Sequence, residues 1–361
     1  MLSTRSITTV IVVVVVVVAI ASTVITTVHA HGAMGIPPTR NAGSLPGLPL
    51  DMNLGGCEGA ACMWFNQGCT IGCEQCDDTF NNFQNFGSAC GIKYPKSTLP
   101  DEFRTYNLND TDPYNPTINA DWTVHHPWRA PGRAPVLDSC GVSGGSTHNN
   151  DPAGGIGNVT IARKQGVFGS KFLPPVTWST TKWVIGSTAE VEWGIAANHG
   201  GGYQYRLCPA DQELNEACFQ KTPLKFSGSK QKLRWDNGYE VEIDAHRVSD
   251  GTIPVGSEWT KNPIPSCGNL GLSAIYTKHE CGPPQFPPPI GCNETCWGYQ
   301  PHTKKKLPPL SKTLEIPAIV DLIEIPSDLK PGKYVVGWRW DCEQTPQVWT
   351  NCGDVELVSS N

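Results

Sequence analysis

The sequence lacks a basic surface patch, an internal repeat and the carboxylate motif of a glycoside hydrolase. Charged residues make up only 17% of its 361 residues, and 27 Lys and Arg against 33 Asp and Glu give a net charge of −6. The only basic run, Lys304-Lys305-Lys306, lies in a proline-rich stretch where we expect a solvated loop. These absences argue against nucleic acid as a partner and give no support to acid–base hydrolysis of sugars.

Long apolar runs are absent except at the N-terminus. Arg5 is the only Lys, Arg, Asp or Glu among the first thirty residues, and an unbroken apolar run covers Val10–Ala21. The segment ends in Val28-His29-Ala30, which suits cleavage by signal peptidase. We therefore predict a signal peptide over 1–30 and a mature chain that begins at His31. The alternative is an uncleaved membrane anchor, because weaker apolar character continues through Val28.

The cysteines and glycosylation motifs fit an extracellular protein. All 15 cysteines follow the predicted signal peptide, which in a secreted chain implies a disulfide framework with one thiol left over or paired elsewhere. Glycosylation sequons occur at Asn109, Asn158 and Asn293. We expect a secreted, extracellular monomer that has no membrane contact once the signal peptide is removed.

The C-terminal half alternates between apolar and polar residues, which is typical of strands. With 37 Gly and 31 Pro, long helices are disfavoured. The turn signal Leu329-Lys-Pro-Gly332 separates two of the alternating segments. The pattern predicts an all-β fold, an antiparallel β-sandwich of immunoglobulin-like or fibronectin-like kind. The candidate strands are Ala189–Ala196, Tyr203–Leu207, Leu224–Phe226, Lys232–Trp235, Glu240–Ile243, Ile319–Ile325 and Lys333–Trp340.

Two long segments without periodicity interrupt this pattern. We predict a single domain over 31–361, with loop insertions at about 91–165 and 281–309 that disulfides staple to the sandwich. Only about fifty residues follow the second insertion, too few for a comfortable independent core. Within the dense cysteine cluster Cys57–Cys90, the three cysteines at positions 69, 73 and 76 have a spacing that is compatible with zinc. Disulfides suit an oxidising compartment better.

A histidine at the first mature position can bind a metal through both its α-amine and its ring. Three nitrogen donors in a T-shaped, tetragonal arrangement select Cu(II), and an α-amine with an ordinary pKa near ~7.7 loses its proton readily. Such a site needs one more histidine besides His31. His199 ends a candidate strand and precedes three glycines, which allow a close backbone approach. The alternatives are that His199 is an ordinary turn histidine, or that His148 is the second ligand.

Three blocks of sequence carry a resemblance to a known family. His31–Asn41 resembles the opening of lytic polysaccharide monooxygenases of the chitin-binding type. Ala197–Pro209, with Cys218-Phe219 after it, is similar to the second-histidine strand of the animal-type family, auxiliary activity family fifteen. Gln347–Val355 resembles the last strand of that family. The blocks occur in the family's order, near the two ends of the mature chain.

The resemblance implies a role for each matched residue. His31 and His199 would form a copper brace, and Ala197 would lie on the distal side of the metal. Trp349 would take the proximal axial position, where the family usually has Phe or Tyr, and as a weak ligand it would leave copper three-coordinate. Gln347 lies on the same strand face as Trp349 and would donate a hydrogen bond near the metal. The alternatives are a core aromatic for Trp349 and a surface residue for Gln347.

The activity implied by the resemblance is oxidative cleavage of an insoluble polysaccharide, chitin or cellulose. The enzyme would hold one copper per chain and use an external reductant, with H2O2 or O2 as co-substrate. Trp64 and Phe65 lie in a cysteine-rich loop and either present rings to a sugar or fill a core beneath the loop. Cys208 and Cys218 are the best disulfide pair, bridging a short excursion after the second-histidine strand. The competing functions are a non-catalytic copper-binding protein and a carbohydrate-binding or cell-wall protein.

Overall fold

The computed structural model describes residues 31–41, 64–67, 131–132, 136–145, 166–177, 179–197, 200–234, 240–250, 252–264, 317–342 and 347–360. The predicted signal peptide, the three sequons at Asn109, Asn158 and Asn293, the 281–309 insertion and His199 lie outside these ranges. Only part of the 91–165 insertion falls within them. No helix in the described ranges is long and apolar enough to cross a membrane.

The described residues form strands with two single-turn helices. The helices are α1 (Gly169–Phe172) and α2 (Glu216–Phe219). The strands are β1 (His31–Ile36), β2 (Trp64–Gln67), β3 (Val142–Ser143), β4 (Thr181–Val184), β5 (Thr188–Ala197), β6 (Gly202–Pro209), β7 (Lys230–Arg234), β8 (Glu240–Asp244), β9 (Arg247–Val248), β10 (Trp259–Lys261), β11 (Ala318–Glu324), β12 (Gly332–Asp341) and β13 (Gln347–Val358).

The strands form two sheets, which confirms the predicted β-sandwich. One sheet has the order β1-β5-β11-β7-β8, and the other has the order β3-β2-β13-β12-β6-β10-β9. All of these pairings are antiparallel, but β4 adds to β13 in parallel, which the sequence pattern did not predict. The predicted strand Leu224–Phe226 is wrong: this stretch makes only isolated bridges, from Pro223 to Arg206 and from Phe226 to Ile323.

Alternating side chains of the two sheets meet in one aromatic-rich core. Val191, Trp193 and Ile195 of β5 point inward with period two, as the alternation predicts. Trp338 and Trp340 of β12 pack on Trp193, with ring centroids 5.0 and 5.2 Å from its own. Burying each large apolar side chain stabilises the fold by about 1.5–3 kcal/mol, so this cluster holds the two sheets together.

The outer face of the larger sheet is also covered, around α2. The predicted disulfide Cys208–Cys218 is present, with Cα atoms 5.5 Å apart, and a second disulfide joins Cys140 to Cys352. Glu216 of α2 lies 2.6 Å from Arg206. Burial alone would raise the pKa of Glu216, but the guanidinium groups around it lower that pKa to about 2. The ion pair is therefore charged throughout the physiological pH range.

A second buried carboxylate lies between the sheets. The Tyr203 hydroxyl donates to an Asp321 carboxylate oxygen 2.6 Å away. Burial raises the pKa of Asp321 to about 7, against the smaller opposing effects of Tyr203 and of Arg247. The nearest cation contact is long, 3.9 Å to Arg247. Asp321 is therefore a group whose protonation is coupled to folding.

We expect the substitution Asp321→Asn to change the pH dependence of stability. Between pH 3.8, the ordinary pKa, and about 7 the folded wild type holds a proton that the unfolded chain has released. Its free energy of unfolding therefore falls as pH rises through this window, by up to about 4 kcal/mol, and then levels off. Urea unfolding between pH 4 and 8 measures the slope, which the variant should lose. Asp328→Asn, at an exposed turn, is the control and should follow the wild type; equal slopes in all three proteins would contradict the assignment.

Candidate metal centre

The strand that begins at His31 pairs with the strand that precedes His199 in the sequence. β1 pairs antiparallel with β5, and the register places His31 opposite Ala197 and Gly32 opposite Ile195. Directly opposed residues in such a pair have Cα atoms about 4.5–5.5 Å apart. His199 follows Ala197 by two positions in the sequence, so His31 lies beside the strand that precedes His199. The side chains of His31 and Ala197, like His199 itself, lie outside the described part of the structure.

Trp340 contacts the residue that follows each histidine. Its indole N–H donates to the carbonyl oxygen of Gly200 at 2.7 Å, in a buried position. Its ring also packs on Gly32, where a Cβ atom would lie 2.9 Å from the ring atom Cζ3. A side chain at position 32 would therefore displace the ring. Sequence reasoning missed Trp340; the only signal was a second tryptophan two positions after Trp338, at the end of a predicted strand.

The glycine segment after His199 has a backbone that only glycine adopts readily. Gly200 and Gly201 have φ values of 64° and 82°. A Cβ atom on Gly201 would lie 1.9 Å from the carbonyl oxygen of Asp341. The carbonyl oxygen of Gly201 accepts a hydrogen bond from the backbone N–H of Asn262 at 2.8 Å. The segment is thus held against the ends of β12 and β10.

Trp349 and Gln347, the residues predicted to lie beside the metal, are both on β13. Trp349 pairs directly with Trp340 across the β12–β13 ladder, so it neighbours the ring that contacts Gly32. Its indole N–H donates to the Gln347 side-chain oxygen at 3.3 Å, and both residues are buried. Two positions further along the same face, the Asn351 side chain accepts from the backbone N–H of Met34 in β1 at 3.2 Å. This face of β13 is therefore turned toward β1.

The aromatic pair Trp64 and Phe65 has no exposed ring. Both side chains are fully buried, Phe65 stacks on Trp349 with ring centroids 4.6 Å apart, and Trp64 stacks on Phe172 at 6.4 Å. A ring that binds a sugar plane must be accessible. The burial favours the alternative in which the two residues fill the core beneath the loop.

The buried carboxylate beside the glycine segment, that of Asp341, is already paired within the protein. Within the described residues no group of three His, Cys, Asp or Glu could hold a metal. The carboxylate of Asp341, beside the glycine segment, is buried and engaged by Arg339 at 2.7 Å and by the backbone N–H of Gly132 at 2.8 Å. The nitrogen donors predicted from the sequence, at His31 and His199, would suit Cu(II).

The solved structures similar to this chain include lytic polysaccharide monooxygenases and a chitin-binding domain. A lytic polysaccharide monooxygenase of auxiliary activity family fifteen from Thermobia domestica, in the Cu(I) state, has 14% identity and a TM-score of 0.24 over 50% of this chain and 62% of that chain. For one of family ten from Streptomyces lividans the values are 12%, 0.22, 50% and 59%. For a chitin-binding domain from Burkholderia pseudomallei they are 13%, 0.23, 50% and 58%.

This chain spans less than two thirds of the length of each of these three structures. No family model and no curated protein sequence matches it. At these values the similarity describes a distant relationship of fold and carries no information on activity.

The glycine segment yields a stability prediction. Gly201→Ala combines a positive φ with a backbone clash, whereas Gly228 has a φ of 70° and nothing within 4 Å of its Cβ position. We expect Gly228→Ala to lower the free energy of unfolding by about 1–2 kcal/mol, and Gly201→Ala by about 1–3 kcal/mol more. Chemical denaturation of both variants measures the difference. Equal losses would contradict the close approach of Gly201 to Asp341.

Proposed function

We propose that this protein is a secreted, copper-dependent lytic polysaccharide monooxygenase that oxidises an insoluble polysaccharide, chitin or cellulose. The observation that carries the proposal is the register of β1 with β5, which pairs His31 with Ala197 at the start of the segment that contains His199. The three sequence blocks, in their family order, support the same assignment.

In the proposed site the α-amine and ring of His31, together with the ring of His199, hold one copper ion. Bound copper supplies oxidation of a carbohydrate C–H bond, with an external reductant and H2O2 or O2 as co-substrate. Ala197, a small residue, would leave room beside the metal. Trp349 would lie near the metal without donating to it, because an indole N–H has no lone pair to offer.

The residues around the proposed site exclude water from its inner side. Trp349, Phe65 and Trp340 are fully buried and form an apolar floor. Gln347 is the polar group at the edge of this floor, and its amide oxygen is already oriented by Trp349. Its amide N–H group is the end that would donate a hydrogen bond toward the reacting oxygen.

The proposed site exists only after processing, because Ala30 otherwise blocks the α-amine of His31. Removal of residues 1–30 exposes that amine, so secretion and metal binding depend on one cleavage. The two disulfides of the described structure are consistent with an oxidising compartment.

The test is a search for oxidised oligosaccharides. The mature protein, produced with His31 as its first residue and loaded with copper, is incubated with chitin or cellulose, a reductant and H2O2, and the products are analysed by mass spectrometry. We expect oxidised oligosaccharides from the wild type. His199→Ala should lose at least about 100-fold in activity, because loss of a residue that merely hydrogen-bonds to a metal ligand already costs about 10- to 100-fold.

Two controls distinguish the alternatives. A Gly-Ser extension before His31 removes the free amine at the required place and should abolish both copper binding and activity. His148→Ala should retain activity, because in the proposed site the second ligand is His199. Loss of activity in His148→Ala, with activity retained in His199→Ala, would make His148 the second ligand. Tight copper binding without any oxidised product would instead indicate a non-catalytic copper-binding protein.

A further inference from the structure

We propose that Trp340 is the positioning residue that fixes the distance between the two backbone segments carrying His31 and His199. The inference rests on the proposed function, because it gives those two histidines a common metal. One indole touches both segments: its N–H binds the Gly200 carbonyl at 2.7 Å, and its ring packs on Gly32. Gly32 directly follows His31 in the sequence, and Gly200 directly follows His199, so each contact is made by the neighbour of a proposed ligand.

The surroundings of Trp340 leave its ring little freedom. The side chain is fully buried, and the rings of Trp193 and Trp338 lie 5.2 and 6.3 Å from it, centroid to centroid. Its backbone is paired on both sides, with Tyr203 of β6 and Trp349 of β13. A close-packed interior transmits such constraints because its side chains cannot shift independently. The indole is therefore a rigid spacer whose position is set by both neighbouring strands.

The hydrogen bond requires tryptophan, whereas the packing alone would accept phenylalanine. A buried indole N–H is normally paired, and a hydrogen bond in an apolar environment is stronger than the same bond in water. The Gly200 carbonyl belongs to a residue with a φ of 64°, two positions before β6 begins. The bond from Trp340 is thus one of the contacts that locate the backbone next to His199.

Trp338 provides a matched control within the same strand. It is also fully buried and also packs on Trp193, at 5.0 Å. Its indole nitrogen, however, has no hydrogen-bond partner among the described residues. Trp338→Phe and Trp340→Phe therefore remove the same atoms from the same aromatic cluster, but only the second removes a bond to the segment that follows His199.

The experiment compares wild type, Trp340→Phe and Trp338→Phe, each with His31 as its first residue. In the metal-free proteins, hydrogen exchange is followed by mass spectrometry on a peptide spanning 198–203. Cu(II) affinity is measured by competition titration, and the bound Cu(II) is examined by electron paramagnetic resonance. We expect Trp340→Phe to speed exchange in that peptide, to raise the copper dissociation constant about tenfold and to change the copper hyperfine splitting. Trp338→Phe should keep the exchange rate and the copper dissociation constant within about twofold of wild type, with the same hyperfine splitting.

The outcomes separate this inference from the proposed function. Unchanged exchange, affinity and spectrum in Trp340→Phe, or equal changes in Trp338→Phe, overturn the positioning role while wild-type copper binding stands. Failure of the wild type to bind copper overturns both. If Trp340→Phe does not fold, 3-benzothienylalanine at position 340 keeps the ring shape and replaces the N–H with sulfur; it should give the same three changes, and wild-type behaviour would refute the role.

Discussion

The pairing of β1 with β5 is the constraint on which the rest of the candidate site depends. It brings the backbone at the predicted mature N-terminus beside the end of a long central strand, with His31 opposite Ala197. An edge strand at a chain end would ordinarily fray. Here Met34 is bound by Asn351 from the other sheet, and Gly32 lies under the Trp340 ring. β1 is therefore held at its edge by β5 and across the core by β12 and β13, as the proposed metal site at this end of the strand would require.

A charged network behind the larger sheet fixes the end of β12. Arg339 binds Asp341 at 2.7 Å and Glu216 at 3.3 Å, and all three side chains are wholly or largely buried. Buried ion pairs cost desolvation energy and contribute little net stability, but they penalise any arrangement that leaves a charge unpaired. The carbonyl of Asp341 is also the atom that Gly201 approaches. The network thus specifies where the glycine segment sits more than it strengthens the fold.

The sequence allowed prediction of the fold class, six of the thirteen described strands and the Cys208–Cys218 disulfide, because each depends on local pattern. Period-two alternation of Val191, Trp193 and Ile195 indicates a buried strand face without knowledge of the partner strand. The parallel addition of β4 to β13 could not be predicted in this way, since pairing direction depends on chain path. Leu224–Phe226 failed for a related reason: the alternation is real, but proline at 223 removes a ladder donor, and only isolated bridges form.

The same distinction explains what was missed at the candidate site. His31 and His199 are identifiable from chemistry and neighbouring residues, whereas Trp340 matters only through contacts with Gly32 and Gly200, which are far from it in sequence. Trp64 and Phe65 illustrate the converse: the sequence suggested a loop, but they lie on β2, and the sequence alone does not show whether such rings are exposed or buried. Both rings are fully buried: Phe65 stacks on Trp349, and Trp64 stacks on Phe172. Neither ring is therefore available to the polysaccharide of the proposed function.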